Sequence, residues 1–186
     1  MSAPPPGRLV VVSGPSGAGK GTVVGGVLAR RPETILSVSA TTRTPRPEER
    51  DGTDYRFLSQ ESFRALAEIG ELLEWAEVYG HLYGTPRRPV EDALAAGHDV
   101  VLEVDVQGAL QVRESLPDAV LVFIKPPSLE ELEARLTGRG TENAGTLARR
   151  TEAARGELEH VDRYDHVIVN DRADDAVTEL LRILDG

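Results

Sequence analysis

The sequence predicts an α/β fold, a central parallel sheet between two layers of helices, and three observations carry that prediction. Apolar runs at 9–12, 100–102 and 119–124 are continuous rather than alternating, as in strands buried on both faces. Charged, helix-length segments separate them, so β and α elements alternate along the chain. The first run leads into Gly14-Pro15-Ser16-Gly17-Ala18-Gly19-Lys20-Gly21-Thr22, a glycine-rich turn between a strand and a helix.

In order, residues 8–13 read as the first strand and 20–30 as a helix. Residues 34–40 are β-branched and alternating enough for a second strand, while 41–54, with Pro45 and Pro47, are loop. A short strand is expected at 55–58, and Ser59 caps a helix to Ile69. Gly70 ends that helix, and 71–79 reads as another strand. Gly80 and Gly84 mark a turn, after which Pro86 stands like the N1 proline of a helix ending at Gly97. Strands at 99–104 and 119–124 flank a helix at 107–115, and Ser128-Leu129-Glu130-Glu131 is a capping box for a helix to Thr137. Gly138-Arg139-Gly140 interrupts the pattern before a charged helix at 146–160, a strand at 165–169 and a closing helix at 173–184.

At 186 residues the chain has the size of one domain, so added function belongs in insertions. Residues 1–7, rich in proline, are expected to form a disordered tail without the features of a secretory signal. With no cysteine and no apolar run able to span a bilayer, a cytoplasmic location is expected. The formal charge of −10 disfavours nucleic acid and anionic membranes as partners. A phosphate site must then be built from local positive charge, and lysine occurs only at Lys20 and Lys125. The histidines at 81, 98, 160 and 166 lack metal-ligand spacing, and no Ser/His/Asp or Cys/His pattern stands out.

The glycine-rich turn fits G-x-x-x-x-G-K-[ST] in seven of eight positions. Backbone N–H groups and a helix N-terminus would converge on an anion, with Lys20 reaching the outer phosphates. The departure is Gly21, where a hydroxyl usually ligates magnesium; Thr22 comes one place late. Such a turn can also be merely structural, because glycine permits positive φ. In parallel sheets ligands bind beyond the carboxyl ends of the strands, where 39–46, 103–105, 125–127 and Asn170 fall.

Four further constellations bear chemistry. Arg43 and Arg46 stand three apart in a proline-stiffened loop, a fork for an anion or partners for Glu48 and Glu49. Alternation puts Glu74 with Ala76 on the face opposite Trp75, as a base-reading carboxylate or an exposed strand glutamate. Glu103 and Asp105 end an apolar strand, which suits carboxylates near phosphate and magnesium and also any β–α turn. Arg135, Arg139, Arg149 and Arg150 bracket Gly138 and Gly140, offering hinges and charge to a transferring phosphoryl group. Arg135 also lies i,i+4 from Glu131, an ion pair worth about 0.2–0.5 kcal/mol.

Several motifs in order then carry a resemblance. They are Ser13-Gly14-Pro15-Ser16-Gly17-Ala18-Gly19-Lys20, Ser37-Val38-Ser39-Ala40-Thr41-Thr42-Arg43, Asp51-Gly52-Thr53-Asp54-Tyr55, Glu74-Trp75-Ala76, Tyr83-Gly84-Thr85, Asp105-Val106-Gln107-Gly108, Pro126-Pro127-Ser128, Gly138-Arg139-Gly140-Thr141 and Val169-Asn170-Asp171. Over residues 8–186 the chain resembles the guanylate kinases. The resemblance implies a three-layer P-loop NTPase fold with a core of 8–36, 87–126 and 156–186, an inserted GMP-binding region at 37–86 and a helical lid at 127–155. It implies transfer of the γ-phosphoryl of ATP to GMP with Mg2+, and small-molecule substrates rather than nucleic acid or membrane.

By the same resemblance, Gly14, Pro15, Ser16, Gly17, Ala18, Gly19, Lys20, Gly21, Thr22 and Asn170 would bind ATP. Ser39, Arg43, Arg46, Tyr55 and Tyr83 would hold the GMP phosphate and position the nucleotide. Glu74, Thr85 and Asp105 would read guanine, with Glu103 beside them. Lys20, Arg43, Arg135, Arg139 and Arg150 would surround the transferring phosphoryl group; register alone does not separate Arg149 from Arg150. A carboxylate at 74 suits guanine because it only accepts hydrogen bonds, and guanine offers N1–H and the 2-amino group as adjacent donors. GMP brings its own ionised oxygen as nucleophile, so no side-chain dyad is required. The departures are Gly21, which leaves the magnesium ligands open, Glu103 where aspartate is frequent, and Glu48 where a turn glycine is common. The rival readings are an interaction module that has lost catalysis and a P-loop kinase for another phosphorylated acceptor. A GTPase lacks its Asn-Lys-x-Asp motif, because Lys125 is followed by Pro126-Pro127.

Overall fold

The computed structural model describes residues 5–78, 80–137 and 144–186, the side chains of 144–148 apart. In chain order the elements are β1 (Leu9–Ser13), α1 (Lys20–Arg30), β2 (Ile35–Leu36), β3 (Ala40–Thr41), β4 (Arg56–Phe57), α2 (Gln60–Glu68), β5 (Leu72–Val78) and β6 (His81–Pro86). They continue with α3 (Arg87–Ala95), β7 (Val100–Glu103), α4 (Val106–Ser115), β8 (Val120–Lys125), α5 (Leu129–Thr137), α6 (Ala144–Leu158), β9 (His166–Val169) and α7 (Ala173–Asp185).

The central sheet has the order β2-β7-β1-β8-β9, and every pairing in it is parallel. Its strands feed two cores by alternation. Val10, Val12, Val122 and Ile124 pack with Val23 and Val27 of α1 and Val177 and Leu180 of α7. Val11, Leu102, Leu121 and Phe123 pack on the other face with Val106, Ala109 and Val112 of α4. β1, β7 and β8 are therefore covered on both faces, which explains the continuous apolar runs and confirms the three-layer α/β arrangement, whereas Ile35 and Leu36 of β2 and Val167 and Val169 of β9 are exposed at the sheet edges. Each such side chain contributes about 1.5–3 kcal/mol by burial.

A second sheet, ordered β4-β3-β6-β5, is mixed: β3 runs parallel to β4 and antiparallel to β6, which pairs antiparallel with β5. Its small core, Ala40, Phe63, Leu72 and Leu82, lies under α2.

The expected strand at 34–40 is instead two strands in different sheets. Ile35 and Leu36 pair with Val100 and Val101, whereas Ala40 and Thr41 pair with Tyr83, Gly84, Arg56 and Phe57. Nothing local in Ile35-Leu36 or Ala40-Thr41 marks the crossing between sheets, because strand pairing is set by the partner rather than by propensity. Gly84 is no turn residue either, but lies inside β6. A Cβ there would come within 2.8 Å of the Glu74 carbonyl oxygen and 3.0 Å of Phe63, so close packing demands glycine. Pro86 is the N-cap of α3 rather than N1. The charged helix expected at 146–160 begins earlier and ends at Leu158, before a 3-10 turn at Val161–Arg163. Of the expected tail, 1–4 lie outside the described residues, and the Gly7 N–H donates to the Leu94 carbonyl at 2.8 Å. Among the described residues no helix is long and apolar enough to cross a membrane.

Candidate active site

The turn after β1 closes beneath its neighbours. Gly14 has φ +135°, and a Cβ on it would lie 2.0 Å from the Ile124 carbonyl oxygen. Gly19, the N-cap of α1, has φ +89°, and its Cβ would strike Asn170 Nδ2 at 2.3 Å. Both positions thus exclude any other residue on conformation and on space. Asn170, 5% exposed, donates from Nδ2 to the Ala18 carbonyl at 2.7 Å and so braces the loop from β9. Lys20 Nζ donates to the Gly14 carbonyl at 2.5 Å and the Pro15 carbonyl at 3.2 Å. Burial pushes this ammonium down, while Glu103, Glu157 and Asp105 draw it back up.

A cavity of about 520 Å³ opens over the loop, lined by Gly14, Ser16, Gly17, Gly19, Lys20, Gly21, Thr22, Glu103, Asp105 and Glu157. Next to it lies a cavity of about 160 Å³ lined by Ser39, Tyr55, Glu74, Tyr83, Glu103 and Asp105, among others. Glu103 and Asp105 line both. A further hollow of about 280 Å³ joins Gly17, Gly19 and Thr22 to Arg135, Asn170 and Asp171.

Glu74 is 7% exposed, which overturns the exposed-glutamate alternative. The register of β5 slips between Leu72 and Glu74, so Leu73 and Glu74 are both buried where strict alternation would expose one. Its Oε1 accepts from the Thr85 hydroxyl at 2.7 Å. Burial raises the Glu74 carboxyl to about 7, Asp105 adds to the rise, and the Thr85 hydroxyl and N–H oppose it. Asp105 is the N-cap of α4 and accepts from the Gly108 N–H at 2.7 Å.

The arginine fork is bridged. Arg43 donates to Glu49 Oε1 at 2.7 Å and to the Thr44 carbonyl at 2.8 Å, while Glu49 Oε2 accepts from the Arg46 N–H at 2.8 Å. The Arg43 guanidinium also stands 5.5 Å from the Tyr55 ring centroid, a cation–π distance, and Tyr55 meets Tyr83 edge-on at 6.1 Å. Pairing with Glu49 pushes Arg43 up and holds Glu49 below the usual carboxylate range.

From the helices that follow β8, Arg135 donates to the Asn170 carbonyl at 3.0 Å and to Glu131 Oε1 at 3.4 Å. Arg150 donates to Ser16 Oγ at 2.6 Å, whereas Arg149 is exposed. Arg139, with Gly138, Gly140 and Thr141, lies outside the described residues, as does Tyr79. One residue escaped the reading of the sequence. Glu157, two turns beyond Arg150 on α6, lines the loop cavity, its carboxyl raised by burial and lowered by Lys20 and by the Ser16 N–H. Only its i,i+7 spacing from Arg150 could have flagged it, and helical spacing of charges is too common to do so alone.

The sequence model of the family described as Guanylate kinase matches residues 6–186. The chain belongs to the guanylate kinase family. The guanylate kinase of Nocardia farcinica is 56% identical over 179 residues, covering 95% of this chain and 93% of the relative. That of Aromatoleum aromaticum is 53% identical over 179 residues, 96% of this chain and 88% of the relative. The crystal structure of guanylate kinase from Anaplasma phagocytophilum superposes with a TM-score of 0.78 at 35% identity, covering 97% of this chain and 86% of that one. A sugar kinase from Janibacter, 19% identical with a TM-score of 0.55 and covering 97% of this chain and 95% of its own, shares the fold. Membership of the guanylate kinase family makes the chain an ATP:GMP phosphotransferase on a P-loop fold.

Proposed function

We propose that this chain is a cytoplasmic enzyme that transfers the γ-phosphoryl of ATP to GMP with Mg2+, its acceptor region at 37–86 and its lid at 127–155 serving the core between them. The observation that carries the assignment of roles is Glu74, buried against Thr85 beside Asp105, in a cavity whose wall of Glu103 and Asp105 also bounds the phosphate-loop cavity. Two substrates seated in these cavities meet at one wall, and transfer needs such juxtaposition.

In this reading the loop from Gly14 to Thr22 holds the ATP phosphates with its N–H groups, and Asn170 keeps the loop in shape. Ser39, Arg43, Arg46, Tyr55 and Tyr83 hold the acceptor phosphate, Arg43 exchanging Glu49 for phosphate oxygens. Ionised Glu74 accepts from guanine N1–H and the 2-amino group, with Thr85 and Asp105 beside it. A phosphate oxygen of GMP forms the new bond to the γ-phosphorus as the bond to the β–γ bridging oxygen breaks, leaving ADP and GDP. Lys20, Arg43, Arg135 and Arg150 neutralise the charge that spreads over the moving group, and Arg139 joins them by the family resemblance alone. Arginines used in this way raise rates by about 10³–10⁵.

The residues fit Mg2+. A Cβ on Gly21 would lie 3.6 Å from one Glu103 carboxylate oxygen and 3.7 Å from the other, so Glu103 reaches the place where the family of loops usually offers a hydroxyl. No group of three acidic, histidine or cysteine side chains is set to hold a metal among the described residues. Phosphates and water would complete the shell, as is usual for this ion. Held there, the ion would supply positive charge against the phosphate oxygens.

The test is acceptor specificity. With ATP and Mg2+, GMP is expected to give GDP, and AMP, UMP and CMP to react at least about a hundred-fold more slowly, as unmatched buried polar groups dictate. Equal rates with AMP would overturn the acceptor assignment. Lys20→Ala should lower kcat by about 10² or more, and a near-normal rate would remove Lys20 from the mechanism.

A further inference from the structure

β5 is the outer strand of the second sheet and, among the described residues, pairs only with β6 there, so its outward N–H and carbonyl groups need other partners. Side chains of α4 provide them. Gln111 Oε1 accepts from the Trp75 N–H at 3.1 Å, and Gln111 Nε2 donates to the Trp75 carbonyl at 3.2 Å. A primary amide offers acceptor and donor side by side, so it pairs with one residue's backbone much as a neighbouring strand would. One turn further along, Ser115 Oγ donates to the Leu73 carbonyl at 2.9 Å. Glu74 is the residue between these two anchors, and it turns back towards the same helix. A Cβ on Gly108 would lie 2.9 Å from Glu74 Oε2 and 3.3 Å from Asp105 Oδ1. Gly108, Gln111 and Ser115 are i, i+3 and i+7 on α4, one stripe of the helix.

We infer that Gln111, assisted by Ser115, is a positioning residue for recognition of the acceptor base: it latches β5 to α4 and so fixes Glu74, on the second sheet, against Asp105, at the start of α4. The inference rests on the acceptor reading above. The latch is not what holds α4 in place, because Ala109 and Val112 of the same helix are fully buried in the central core. Removing it should therefore loosen the spacing of the two carboxylates while leaving the fold and the phosphate loop intact.

Gln111→Met keeps length and removes both hydrogen bonds; Gln111→Glu keeps the acceptor for the Trp75 N–H and loses the donor. Calorimetric titration of GMP should give a Kd raised about ten-fold for Gln111→Met and about three-fold for Gln111→Glu, the scale of one or two hydrogen bonds. The Kd for ATP and kcat at saturating GMP should stay within about two-fold, since neither bond touches the loop. The preference for GMP over IMP, which lacks the 2-amino group, should shrink, and the Trp75 amide should exchange its hydrogen faster. An unchanged Kd for GMP overturns the inference, and so does a matching loss of ATP and GMP affinity, which marks a general effect on folding. Should Gln111→Met fail to fold, Ser115→Ala is expected to weaken GMP alone by about two-fold. If the unmodified protein uses AMP as readily as GMP, the acceptor reading itself has failed; if it prefers GMP and Gln111→Met binds GMP normally, only the latch has failed.

Discussion

Glu74 is buried, and its carboxyl rises from an ordinary 4.5 to about 7, chiefly through burial. The folded form thus holds this proton more tightly than the unfolded chain. The group's contribution to stability is complete below about 4.5 and is lost as pH climbs through about 7. The proposed guanine-reading role runs the opposite way, because only an ionised carboxylate could accept from both guanine donors. GMP affinity should therefore improve as pH passes 7, in the range where the fold gives up stability. Glu74→Gln separates the two. Gln retains an oxygen for the Thr85 hydroxyl and carries no charge, so the variant should melt at or above the unmodified protein at pH 8, with the advantage vanishing near pH 5. Its GMP affinity should fall by at least about ten-fold while ATP binding holds, the scale of a mismatched donor and acceptor. Thermal scans at both pH values and GMP titration check this; unchanged selectivity would mean that guanine is read elsewhere. The acid itself was legible in the sequence. Its burial was not, because a strand slip at Leu72 and the approach of Gly84 across the sheet leave no local mark.

Element boundaries followed local chemistry where caps and glycines set them. α1 runs over 20–30 as expected, Ser59 caps α2 through the Ser62 N–H, and Ser128 accepts from the Glu131 N–H at the start of α5. Sequence reading failed where an element's extent depends on its partner, as at β2 and β3. α1 also offers a clean separation of propensity from packing. Gly25 and Gly26 are neighbours in this helix, yet a Cβ on Gly25 meets nothing within 4 Å, whereas one on Gly26 would lie 2.5 Å from a methyl of Val177 in α7. Gly25→Ala should stabilise the fold by roughly 0.5–1 kcal/mol, the helix-propensity gain. Gly26→Ala has the same local gain but must push α7 away, and should destabilise by about 1–3 kcal/mol. Denaturant titrations of both give the comparison, and kinetic constants should be unaffected in Gly25→Ala. Equal stability of the two variants would show that α1 and α7 yield freely at this contact.

At the scale of the whole molecule, two sheets meet at Glu103 and Asp105, with Leu73 of β5 packed into the central core beside α4, and that meeting is what no stretch of sequence displays. The motifs indicated a phosphate loop and an acid proposed to read guanine; the topology sets Lys20 and Glu74 in cavities around one wall. The wall is acidic in a chain of net charge −10, and Glu157 adds a third carboxyl facing Lys20. A triphosphate entering the loop cavity therefore meets carboxylates of its own sign, and a cation between them reverses the balance. Glu103, nearest to the Gly21 position, should have opposite effects in the two conditions. With Mg2+ chelated, Glu103→Gln should bind ATP about two- to ten-fold more tightly than the unmodified protein, because one unscreened repulsion is gone. With millimolar Mg2+, the variant should bind more weakly and turn over more slowly, because a carboxylate that favours the ion is missing. Calorimetric titrations of ATP in each condition decide the matter, and the same order of affinities in both would show that Glu103 does not face the metal.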